Sequence, residues 1–220
     1  MIKEIELKVP TSYADISLKK WLDLQKEIKN YEGNDEAIGA LLLFHLCGLD
    51  PIYLKGIAVE HYNQIKTELG NFLQNVELPL QRFITIDGVE YGFEPNLSKM
   101  AYGAYADISK YDTIVIDDNW AKIMNILYRP VTKKKGEMYS IETYTGKQDY
   151  EKFLEVSMDV HFGALFFLLN LQSNLLNSIL KSSMEEEALL SIKPILQKNG
   201  AHIQRLLNWQ KEIFSASTKL

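Results

Sequence analysis

The 220-residue sequence predicts a mostly α-helical chain with a small β-hairpin element, an α+β protein whose core is helical. Three observations predict this class. Apolar residues recur at helical spacing along most of the chain. One stretch, residues 83–93, sets Asp87-Gly88 between two β-rich runs. Hydrophobic residues make up 46% and charged residues 24%, enough for a sizeable core and far from the composition of disordered chains.

Near the start, Ile5, Leu7 and Val9 alternate with Glu4, Glu6 and Lys8, which predicts a half-exposed strand closed by Pro10. Thr11, Ser12 and Asp15 then offer capping oxygens ahead of Leu18, Trp21, Leu22 and Ile28, one face of a first helix. A second helix is expected from Asp35 to Cys47, stopped by Gly48. Asp50-Pro51 suits a short helical turn, and Val59, Tyr62, Ile65, Leu69, Phe72 and Leu73 mark a third helix.

Within residues 83–93, Asp-Gly favours a type I′ turn, because both central residues must take positive φ while the strands keep their twist. Pro95 and Asn96 precede a short helix near Leu97 to Met100. Asn119 is placed to cap a helix carrying Trp120, Ile123, Met124 and Leu127, ended by Arg129 and Pro130. Lys133, Lys134 and Lys135 beside Gly136 read as a solvated turn, followed by a short strand from Met138 to Tyr144. Tyr150, Phe153 and Leu154 belong to a further helix. The segment from Met158 to Leu180 has a broad apolar face and is the candidate central helix. Glu185, Glu186 and Glu187 read as an exposed face or turn. Pro194 and Asn199-Gly200 then break the chain ahead of a final amphipathic helix with Ile203, Leu206, Leu207, Ile213 and Phe214. One core can organise this length, so a single domain is expected, with a division into a helical lobe over 1–80 and a hairpin-bearing lobe over 81–220 as the alternative.

A net charge of −5 offers no general attraction for a phosphate backbone, so no specific nucleic acid is expected as a partner. No apolar run reaches the length needed to cross a bilayer, which argues against a membrane role. The charged N-terminal stretch leaves no room for a signal-peptide core, and the lone Cys47 sits among leucines as a small buried side chain, consistent with a reducing compartment. The sequence holds no glycine-rich phosphate loop and no Gly-x-Ser-x-Gly elbow, and its four histidines match no zinc pattern. No cofactor is therefore expected.

The residues fit two function classes. In the first, the chain is not an enzyme and acts through protein contacts. Tyr128, Arg129 and Pro130, with Tyr91 and Phe93, are its interaction or structural candidates, since an arginine at a helix end can clamp carbonyls and carboxylates or anchor a partner. In the second, Asp107, Asp117 and Asp118, joined by His161, hold a hard cation in a small metal-dependent enzyme.

A resemblance favours the first. Tyr91-Gly92-Phe93, Pro95-Asn96-Leu97, Gly103-x-Tyr105-x-Asp107, Ile126 to Pro130 and Tyr139-x-Ile141-Glu142-x-Tyr144 resemble uncharacterised proteins of tailed bacteriophages, including crAss-like phages infecting Bacteroidetes. The likeness covers the central part of the chain and extends toward Met158-Asp159. It implies a virion structural or assembly component: a head, tail or cargo protein, or a tail assembly chaperone. Such a protein meets other phage structural proteins in the host cytoplasm during assembly or in the virion. The resemblance carries over no catalytic residue.

Overall fold

The structure is a computed structural model that describes residues 7–73, 78–113 and 115–182. The fold is predominantly α-helical, with a small four-stranded antiparallel sheet that is not closed into a barrel. Its described residues divide into two units. The first holds residues 7–73 with Ser157–Asp159, and the second holds 78–156 with 160–182.

In the first unit, helix α1 (Leu18–Ile28) starts where the Ser17 hydroxyl accepts the Lys20 N–H at 3.4 Å. Its buried face carries Leu18, Trp21, Leu24 and Ile28. Trp21 meets Tyr13 edge-on, ring centroids 6.0 Å apart. The Tyr13 hydroxyl donates to the Leu73 carbonyl at 3.3 Å, tying the N-terminal loop to the end of helix α3 (Val59–Leu73). Helix α2 (Asp35–Cys47) is capped by Asn34, whose Oδ1 accepts the Ala37 N–H at 3.0 Å. It stops at Gly48, where a φ of 72° suits glycine and the Gly48 and Leu49 N–H groups satisfy the last carbonyls. Burial holds the Cys47 thiol protonated, pushing its pKa up to about 11.

The second unit is built on strands β1 (Phe83–Ile86), β2 (Val89–Phe93), β3 (Tyr128–Lys135) and β4 (Met138–Ile141), in that order across the sheet. Asp87 and Gly88 take φ of 51° and 78°, the paired positive values of the type I′ turn expected between β1 and β2. Strand β3 changes partner part-way. Tyr128, Arg129 and Pro130 pair with Phe93, Gly92 and Tyr91 of β2, whereas residues from Val131 onward pair with β4. Pro130 sits at that handover, where a missing N–H is tolerated. Helix α5 (Trp120–Leu127) buries Trp120, Ile123, Met124 and Leu127, and Phe153, Phe162 and Leu165 complete this core. Full burial of such side chains contributes about 1.5–3 kcal/mol each.

Helix α6 (Met158–Ser182) matches the expected central helix. Gly163 lets it approach residues 79 and 80 closely: a Cβ there would collide with the Pro79 carbonyl oxygen.

Several expectations need correction. Residues 7–10 form no strand, because the Thr11 and Ser12 N–H groups already turn the chain onto the Asp15 carboxylate. The lysine run is no turn but the exposed end of β3, and the turn falls at Gly136 and Glu137. Asn119 occupies the start of α5 without capping it, its Oδ1 accepting from Lys122 Nζ at 3.0 Å. The segment around Phe153 is a 3-10 turn, Glu151–Leu154. Helix α4 (Tyr102–Ile108) was not anticipated. Ile5, Glu185 to Glu187, Pro194, Asn199-Gly200 and the final helix lie outside the described residues.

Candidate functional site

The β2–β3 ladder brings the sequence candidates together. Tyr91 lies opposite Pro130, and Phe93 opposite Tyr128, although 35 or more residues separate them along the chain. Tyr128 is buried and its hydroxyl donates to the Gln81 carbonyl at 2.6 Å. Desolvation raises its pKa far above the ordinary phenol range. Phe93 packs edge-on between Tyr128 and Phe167, at 5.2 and 5.4 Å. Tyr91 meets Phe153 at 6.0 Å while Lys152 Nζ lies 4.9 Å from its ring centroid.

Arg129 is the hub. Its Nε donates to the Glu142 carbonyl at 2.8 Å and Nη1 to the Ile126 carbonyl at 2.7 Å, while Nη2 pairs with Glu94 Oε2. The guanidinium therefore ties the end of α5, the residue after β2 and the residue after β4 into one clamp. Nearby, the Tyr144 hydroxyl donates to Asp107 Oδ2 and Lys110 Nζ to Asp107 Oδ1, both at 2.6 Å.

The cation-site candidates are not gathered. Both Asp107 oxygens are engaged as above, and Asp117 Oδ1 accepts the Asn119 N–H at 2.7 Å. His161 is fully buried: its Nδ1 accepts from Trp120 Nε1 at 3.2 Å. Indole nitrogen only donates, so the His161 proton sits on Nε2 and is given to the Phe153 carbonyl at 3.1 Å. Neither ring nitrogen remains for a metal. Among the described residues, no three His, Cys, Asp or Glu side chains form a group that could hold a metal ion. Nor is any described helix long and apolar enough to cross a membrane.

Beside the clamp runs an open groove of about 1120 Å³. Phe93, Leu97, Met138, Phe167 and Leu171 supply its apolar lining. Arg82, Lys133, Lys134 and Lys135 also line it, against two carboxylates, Glu94 and Glu137. Tyr139 forms part of its wall, with its hydroxyl donating to the Phe93 carbonyl at 2.6 Å and its ring 4.6 Å from that of Phe83.

The chain matches no family model, no curated protein and no solved structure. The sequence flagged Phe93 and the lysine run but missed Leu97, Met138, Phe167 and Leu171 as co-lining residues of the groove. No local pattern joins them, because α6 and the strands bring them together only through tertiary packing.

Proposed function

We propose that this chain is a non-enzymatic component that acts through protein–protein contacts, and that its setting is the tailed-phage particle or its assembly. The open groove carries the contact reading. It combines an apolar lining with uncompensated positive charge on an antiparallel sheet, features that suit a peptide or protein surface. The phage setting rests on the sequence resemblance of residues 91–144. On this reading the partners are other phage structural proteins, met in the host cytoplasm during assembly. Mass spectrometry of purified particles tests it: recovery in fixed proportion to the major structural proteins is the expected result for a head, tail or cargo component. Absence from finished particles, with co-purification alongside assembly intermediates, marks an assembly chaperone. Absence from both fractions overturns the proposal.

A further inference from the structure

The geometry points to an acidic peptide segment of a partner protein as the occupant of the groove, one that sets carboxylates against Lys133 and Lys135 and an apolar side chain against Leu97 and Met138. This rests on the protein-contact reading above and adds the partner's chemistry.

The whole chain carries −5, yet the groove lining holds four cationic groups against two carboxylates. The local sign therefore opposes the net one, and a negatively charged partner is drawn to this place.

Lys134 is committed: its Nζ bonds Glu90 Oε1 at 2.6 Å and lies 3.6 Å from the Phe83 ring centroid. Glu94 is spent on Arg129, and Arg82 reaches Glu137 at 3.5 Å. Lys133 and Lys135 alternate with Lys134 along β3, so they share the opposite face of the strand. Both are exposed, and among the described residues neither forms an ion pair. Like charges two residues apart on one face of a paired strand repel each other, and a partner carboxylate relieves that repulsion.

The groove suits a peptide better than a nucleic acid. Single strands bind sequence-tolerantly by stacking bases on free aromatic faces. Here Phe93 is buried between two rings, and Tyr139 is pinned by its hydroxyl and packed against Phe83 and Gly92. What the groove does expose is aliphatic: Met138 is 73% exposed although it lies in a strand. Methionine is a flexible, polarisable side chain that adapts to apolar partners.

The test uses the full chain and fluorescence anisotropy with three probes: a labelled peptide of alternating leucine and glutamate, its leucine–lysine counterpart, and an oligodeoxythymidylate. The acidic peptide should bind, more weakly as salt rises, and the basic one should not. Lys133→Glu combined with Lys135→Glu should weaken acidic-peptide binding by roughly tenfold or more. Lys19→Glu combined with Lys55→Glu, an equal charge change at two exposed sites elsewhere, should leave it unchanged. Met138→Asp should also weaken it. Equal loss in both double variants, or an oligonucleotide that binds as tightly as the peptide, overturns the assignment. Ser140→Trp, which fills the groove from an exposed position, separates the partner's chemistry from the contact itself. If the acidic peptide fails to bind but Ser140→Trp still removes the chain from particle or assembly fractions, the partner chemistry is wrong and the contact reading stands. If the folded Ser140→Trp chain is incorporated normally, the groove is not the contact and both fail.

Discussion

Arg129 serves three acceptors from separate parts of the chain, and only a planar fork of donors can do so at once. Its side chain and that of Glu94 are 11% and 9% exposed, so the pair is largely desolvated. Arg129→Lys keeps the charge but cannot hold all three contacts, and should cost about 1.5–3 kcal/mol in urea unfolding. Arg129→Met strands the Glu94 carboxylate and should cost more, about 3–5 kcal/mol, with part of that loss recovered by adding Glu94→Gln. Equal stability of Arg129→Lys and the parent would show that the clamp is dispensable. Tyr144 gives a second residue-scale test. Desolvation, followed by its hydrogen bond to Asp107, raises its pKa from 10.0 to about 12. A raised pKa favours the protonated folded form, so this contribution is complete below pH 10.0 and is lost as pH rises through about 12. Tyr144→Phe should therefore flatten the stability profile across that alkaline window, and a profile identical to the parent's would count against the Tyr144–Asp107 bond.

Among the elements, those with local signals were legible and those set by partners were not. The β1–β2 hairpin follows from Asp87-Gly88, and α2 follows from Asn34 and Gly48, because turn and cap chemistry is written in adjacent residues. Strand β3 was hidden: Pro130 and three lysines resemble a break and a turn. They are extended because Tyr128 to Pro130 complete the β2 ladder and the lysines pair with β4. The groove was illegible for the same reason, since Leu171 and Met138 meet only after α6 and the sheet have formed. Gly163 makes the contrast testable. Helix propensity alone says that Gly163→Ala should stabilise α6 by about 0.5–1 kcal/mol. Backbone at Pro79 leaves no room for the added Cβ, with the Pro79 carbonyl carbon at 3.1 Å, so overpacking should win and destabilise the chain by about 1–3 kcal/mol. Gly92→Ala would meet only side-chain atoms, Tyr139 Cε2 at 2.8 Å and Ile141 Cγ2 at 2.9 Å, and should cost less because those groups can shift. A thermal melt ranking Gly92→Ala as the more damaging change would reject this reading of the α6 approach.

For the whole molecule, each unit closes a core of its own around one tryptophan: Trp21 with Leu18 and Leu24 in the first, Trp120 with Ile123 and Phe162 in the second. Both indoles are at most 1% exposed, so both should be shielded from a soluble quencher while the chain is folded. The third tryptophan, Trp209, lies outside the described residues, and Trp209→Phe removes its signal. In that background Trp120→Phe leaves Trp21 to report the first unit, and Trp21→Phe leaves Trp120 to report the second. Leu24 and Ile123 are each completely buried, and truncating either removes packed methyl groups and leaves a cavity, at a cost of about 2–5 kcal/mol. Leu24→Ala should accordingly lower the unfolding midpoint that Trp21 reports, and Ile123→Ala the midpoint that Trp120 reports. Ile52→Ser and Val59→Ser provide the contrast within the first unit: at 75% and 74% exposure they contribute little to its core, and their effect should stay within about 0.5 kcal/mol. A Trp21 midpoint that ignores Leu24→Ala yet responds to Ile52→Ser would mean that Leu24 does not belong to the first unit's core.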